Sequence, residues 1–80
     1  MKLAQFRLGQ TGLVKAILSG VNRSYRQKLL AMGLVPGTQF KITRVAPLGD
    51  PLELSVRNYS LSLRKHESDI LEVELLDGVN

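Results

Sequence analysis

The chain has 80 residues, 44% of them hydrophobic, which supports one small domain with a modest core and excludes a disordered tail. It has no cysteine, which removes disulfides, thiolate metal sites and thiol nucleophiles together and suits a cytoplasmic protein. The net charge of +4 is unevenly placed: eight cations from Lys2 to Arg44 precede the first acid, Asp50, and from Asp50 onward seven acids face Arg57, Arg64 and Lys65.

Leu3, Phe6 and Leu8 lead to Gly9, which marks a turn. Residues 12–18 read as a first strand whose apolar positions do not alternate cleanly, which calls for a bulge, and Ser19 and Gly20 end it. A helix over about 23–32 follows. Ser24 with Gln27 three residues on fits a capping box, with Asn22 as the rival cap. Tyr25, Leu29 and Met32 fall on one helical face. Gly33 stands where a left-handed residue closes a helix, an ending that packs Leu34 on Leu29. Leu34-Val35-Pro36-Gly37 then turns the chain into a strand over 38–45, with Phe40 and Ile42 inward and Gln39, Lys41 and Thr43 outward.

Pro47-Leu48-Gly49-Asp50-Pro51 makes a rigid corner. Residues 52–57 alternate apolar and polar, so one face is buried and one is wet. Asn58 supplies a tight turn, and Tyr59, Leu61 and Leu63 form the next inward row. A single helical turn is expected at 65–69, then a last strand in which Leu71, Val73 and Leu75 alternate with Glu72 and Glu74, then a frayed end at 77–80. The expected whole is mainly β: a small, half-open five-stranded barrel with one inserted α-helix, its last strand beside its first. It fills residues 1–80 as a single domain, with the core over about 9–75.

No apolar run reaches signal-peptide or membrane-span length, so the chain reads as soluble and unprocessed. No enzyme signature is present. His66 is the one histidine, and nothing spaces a hydroxyl and a carboxylate for a triad around it. Gly9-Gln10-Thr11-Gly12 lacks the Gly-Lys-Ser/Thr ending of a phosphate loop. His66, Glu67 and Asp69 have donors that suit a divalent metal, but one histidine without cysteine makes a poor closed site, and an exposed polar turn is the plainer reading. We therefore expect no catalytic residue, metal ligand or cofactor.

The basic helix, with Arg23, Arg26 and Lys28, suits an anionic partner. The competing reading is internal neutralisation: Lys41 or Arg44 against Glu53, and the helical cations against a carboxylate. The corner also reads two ways, as a low-entropy bend and as a contact in which exposed Leu48 enters a partner pocket. The expected contact surface is Arg23, Arg26, Lys28, Pro47, Leu48, Gly49 and Asp50, with Ser24, Gly33, Pro36, Gly37 and Pro51 shaping the backbone. A small basic barrel that binds nucleic acid is the alternative. Two Phe, two Tyr and no Trp, all expected in the core pattern, leave it without a stacking surface. A peptide groove of the aromatic-lined kind fails for the same reason.

Residues 26–37, Arg-Gln-Lys-Leu-Leu-Ala-Met-Gly-Leu-Val-Pro-Gly, resemble the helix-to-strand signature of the ferrous iron transport protein A (FeoA) family. Residues 44–51, Arg-Val-Ala-Pro-Leu-Gly-Asp-Pro, resemble its second signature. Leu61-Ser62-Leu63-Arg64-Lys65, Glu67 and Leu71-Glu72-Val73 are similar to its C-terminal pattern, so the resemblance spans about residues 9–75. One departure is Ser68, where many members carry alanine after the glutamate. The resemblance implies an SH3-like barrel with an inserted helix, also similar to the C-terminal domain of iron-dependent repressors of the diphtheria toxin repressor type. It implies a small cytosolic, non-enzymatic accessory of ferrous iron uptake. The implied partner is the permease FeoB, through its cytoplasmic GTP-binding region, with FeoC as a third protein in some bacteria. Neither nucleic acid nor membrane insertion is implied, and an iron role does not imply iron binding by this chain. An arginine such as Arg26 reaching the permease's nucleotide is the sharpest mechanistic form of that contact.

Overall fold

A computed structural model of the chain describes residues 1–18 and 23–77. A 3-10 turn at Leu3–Gln5 precedes β1 (Thr11–Ile17), α1 (Arg23–Ala31), β2 (Gln39–Val45), β3 (Leu52–Val56), β4 (Tyr59–Leu63), the four-residue α2 (Lys65–Ser68) and β5 (Leu71–Asp77). The strands form one antiparallel sheet in the order β4-β3-β2-β1-β5. The last strand does lie beside the first, and β1 slips register against β5 between Val14 and Ala16, a bulge of the expected kind.

β3 alternates strictly, burying Leu52, Leu54 and Val56, and β2 buries Phe40 and Ile42. They meet Val14, Leu63, Leu71 and Val73 in one core. That core reaches back past residue 9: Leu3 and Phe6 are buried in it, so the N-terminal segment is part of the interior. Phe6 and Phe40 pack at a ring distance of 5.3 Å directly over Gly12. A Cβ on Gly12 would stand 2.6 Å from the Phe6 ring, so the strand needs glycine there for close approach.

α1 covers the core with Leu29 fully buried and Tyr25 and Met32 packed at its margin. Burying Leu29 alone contributes about 1.5–3 kcal/mol. The helix ends on Gly33 at φ 90°. The Leu34 N–H donates to the Leu29 carbonyl and the Gly33 N–H to the Leu30 carbonyl, each at 3.0 Å, which together make a Schellman ending. Pro36 and Gly37 form the following turn, where the Thr38 N–H donates to the Val35 carbonyl at 3.1 Å and the Gly37 N–H reaches the Val14 carbonyl at 2.8 Å.

Two local expectations change. α1 runs from Arg23, so Ser24 lies inside it rather than ahead of it, and the rival cap Asn22 lies outside the described residues. The β3–β4 turn holds Asn58 as expected, with Arg57 beside it at φ 55°. Tyr59 is exposed, not part of an inward row, because β4 is an edge strand. Its hydroxyl donates to the Met32 carbonyl at the end of α1.

Candidate functional site

The basic helix and the proline-bounded corner are distant in sequence, and α2 ties both to one place. The Lys28 ammonium pairs with the Glu67 carboxylate, so α1 is fastened to α2. The Tyr25 ring packs against His66 at 5.5 Å, a second contact between the same helices. From the other side, Asp50 Oδ1 accepts the Lys65 N–H at 2.9 Å. That amide is the first in α2 and has no partner within the helix, so the corner's carboxylate caps it. The Lys65 ammonium lies against Gly49.

Glu67 is the centre of this arrangement. Its residue is only 7% exposed, yet its carboxylate is satisfied by Lys28 and by the Arg64 N–H at 3.2 Å. The hydrogen bond from Lys28 is the main cause that holds its pKa below the ordinary carboxylate value, the Arg64 N–H adds to it, and burial opposes both. Ser68, fully buried, donates its hydroxyl to the Lys65 carbonyl at 2.8 Å, which accounts for a polar residue at an interior position.

The expected contact residues therefore divide. Lys28, though exposed, and half-buried Asp50 are both engaged within the fold, by Glu67 and by the Lys65 N–H. Arg23 is exposed and Arg26 half-buried, and neither forms an ion pair among the described residues. Leu48 is 93% exposed at the tip of the corner. The Gly49 N–H donates to the Ala46 carbonyl at 2.7 Å and the Ala46 N–H to the Pro51 carbonyl at 3.1 Å, so the loop holding Leu48 out is closed by its own backbone. Pro47 is exposed beside it and Pro51 half-buried at its base. Missing from the sequence reading were Lys65, His66 and Glu67 as the link between helix and corner. Arg23 and Arg26 lie on α1 and Leu48 at the tip of the corner, the two elements that α2 joins.

Glu67 is paired with Lys28, and the described residues contain no group of three His, Cys, Asp or Glu side chains placed to hold a metal ion. On the outer face of the sheet, Arg44, Ala46, Pro51, Glu53 and Ser62 line a shallow depression of about 230 Å³ without a histidine. Arg44 lies opposite Glu53 in the ladder. Phe6 and Phe40 are both interior, and among the described strand residues the exposed aromatic is Tyr59, whose hydroxyl is bonded to the Met32 carbonyl. No helix among the described residues is long and apolar enough to cross a membrane.

Residues 1–75 match the family model described as the FeoA domain. A curated relative, the Fe(2+) transport protein A/Fe(2+) transporter FeoB fusion protein of Porphyromonas gingivalis, is 34% identical over 79 residues. That match covers 98% of this chain but 9% of the relative's length. Among solved structures, a FeoA-like protein from Clostridium acetobutylicum superposes with a TM-score of 0.88 at 36% identity, over 100% of this chain and 91% of that one. Zinc-complexed FeoA of Stenotrophomonas maltophilia, described as an SH3 domain protein, has a TM-score of 0.79 at 24% identity, over 92% and 89% of the two chains. The fold recurs at 16% identity in a manganese-dependent transcriptional repressor, with a TM-score of 0.83 over 95% of this chain and 36% of that one.

Proposed function

The chain belongs to the FeoA family, and on that premise we propose that it is a small accessory protein of ferrous iron uptake, acting on the permease FeoB by protein–protein contact. The observation that carries this reading is the relative that joins both proteins in one polypeptide. A covalent link holds two modules at an effective concentration in the millimolar range, on the order of what a short flexible linker provides. Where the two are separate chains, contact surfaces must supply that proximity. In this reading Arg23 and Arg26 on the helix and the Leu48 tip of the corner together supply the contact. An apolar point gives burial and the helical cations give orientation toward an acidic face. Ferrous iron is the cargo of the permease in this scheme, and the chain works on the cytoplasmic side as a regulator or assembly factor.

The test is calorimetric titration of the purified chain into the cytoplasmic GTP-binding domain of FeoB from the same organism, with GDP and with a non-hydrolysable GTP analogue, and into the whole permease in detergent. Saturable binding weakened by Arg23→Ala and Arg26→Ala is expected. Absence of binding in every arm refutes the proposal. If Arg26 reaches the nucleotide, Arg26→Ala abolishes stimulated GTP hydrolysis and leaves binding intact. Equal loss of both makes Arg26 a docking residue only.

A further inference from the structure

The two edges of the sheet are treated differently. At β5, the Val73 N–H donates to the Met1 carbonyl at 3.0 Å and the Met1 ammonium pairs with Glu72, so the N-terminus covers part of that edge. Among the described residues, β4 pairs with β3 alone. The two-residue turn at Arg57 and Asn58 makes Val56 and Tyr59 a hydrogen-bonded pair, and ladder alternation makes Leu54–Leu61 and Leu52–Leu63 the next two. The N–H and C=O groups of Ser60 and Ser62 therefore point away from β3. Among the described residues, no backbone group outside the strands bonds to them.

Protein edges are ordinarily blunted by lysine, proline or a bulge. β4 has none of these: its sequence is Tyr-Ser-Leu-Ser-Leu, and it keeps an unbroken register with β3 over five pairs. A shallow depression of about 340 Å³, lined by Glu53, Ser60, Leu61 and Ser62, runs along it. A cation stands at each end: Arg57 in the turn and Arg64 just past Leu63, both exposed and neither in an ion pair among the described residues.

We propose that β4 accepts one extended segment of a partner protein as a sixth strand. The segment is about five residues long, uncharged along its length with alternate apolar side chains, and acidic at both ends. Its backbone bonds to Ser60 and Ser62, its apolar side chains lie beside half-buried Leu61, and its terminal carboxylates meet Arg57 and Arg64. A second copy of this chain is the poorer occupant. Two-fold antiparallel pairing about Leu61 sets Arg57 of each copy against Arg64 and Lys65 of the other, and like charges across a ladder repel. The surface lies on a different element from the helix and the corner, so the inference stands apart from the permease reading.

The probe is a capped nine-residue peptide of alternating valine and threonine with paired glutamates at its ends, compared with a twin that ends in lysines. It is titrated to millimolar concentration into the ¹⁵N-labelled chain. Amide exchange at Ser60 and Ser62 should slow at least tenfold at saturation, and the lysine twin should bind at least tenfold more weakly. Ser62→Pro should abolish binding at an unchanged fold, because proline removes an N–H that faces outward and is tolerated there. Unchanged exchange at Ser60 and Ser62 in the native chain overturns the proposal whether or not that variant folds. Equal binding of the twin also overturns it, as does slowing of the same amides by raised concentration of the chain alone, which would make the second copy the occupant.

Discussion

Replacing Gly33 should destabilise this protein through two separable effects. At φ 90° any Cβ is strained, and a left-handed conformation costs a non-glycine residue about 1–2 kcal/mol. The new atom would also fall on the Tyr59 hydroxyl, which is hydrogen-bonded to the Met32 carbonyl. Losing that bond adds about 1 kcal/mol. Gly33→Ala should therefore cost about 2–3 kcal/mol, and lower Tm by about 10–20 °C in a domain of this size. The sign is informative, because glycine-to-alanine at an unstrained site stabilises by about 0.4–1 kcal/mol. The assay is urea unfolding of Gly33→Ala, Tyr59→Phe and the double variant. Because the phenylalanine has already lost the bond and frees the space, the double variant should cost about 1 kcal/mol less than the sum. A cost for Gly33→Ala under about 0.5 kcal/mol would refute the strained ending. Strict additivity would refute the Tyr59 part.

Stability should fall on acidification as Glu67 takes up a proton. Its folded pKa lies below the ordinary 4.5, so the Lys28 bridge stabilises fully above 4.5 and is lost as pH falls through the lower folded value. Urea midpoints measured from neutral to acid pH should decline less steeply below 4.5 in Glu67→Gln than in the native chain, and parallel profiles would count against the bridge. Leu48→Asp should change unfolding stability by no more than about 0.5 kcal/mol, since the side chain is on the surface. The same change should weaken permease binding about tenfold or more, the loss of one buried leucine at an interface. Gly12→Ala should cost about 1–3 kcal/mol by overpacking Phe6 and Phe40, and a neutral denaturation curve would show that the rings move aside freely.

The strands, the helix and its glycine ending were legible because each is written in local spacing. Leu52, Leu54 and Val56 alternate at period two, Tyr25, Leu29 and Met32 recur at helical spacing, and Gly33 follows directly. What was illegible depends on contacts between distant residues. Lys28 and Asp50 look alike from the sequence, as charges free for a partner. Their capture by Glu67 and by the Lys65 N–H follows from α2 lying between helix and corner, 39 and 15 residues away. Leu3 and Phe6 sit in a turn too short to show a period, so their burial gave no signal. Tyr59 shares the parity of Leu61 and Leu63 but stands at the open margin of the sheet, where parity does not guarantee burial. Of the candidate site, Leu48 was visible as an apolar residue between turn-formers. The hinge of the arrangement, Glu67, was visible only as one acid in a polar turn.

The placement of the tyrosines also determines what spectroscopy sees. Without tryptophan, near-ultraviolet emission comes from Tyr25 and Tyr59. Tyr25 touches α2 through His66, and Tyr59 touches the Met32 carbonyl just past α1, so both fluorophores watch the seating of one helix. Far-ultraviolet dichroism reports the secondary structure of helices and strands together. Two melting traces from one sample thus time the seating of α1 against loss of secondary structure, with no label added.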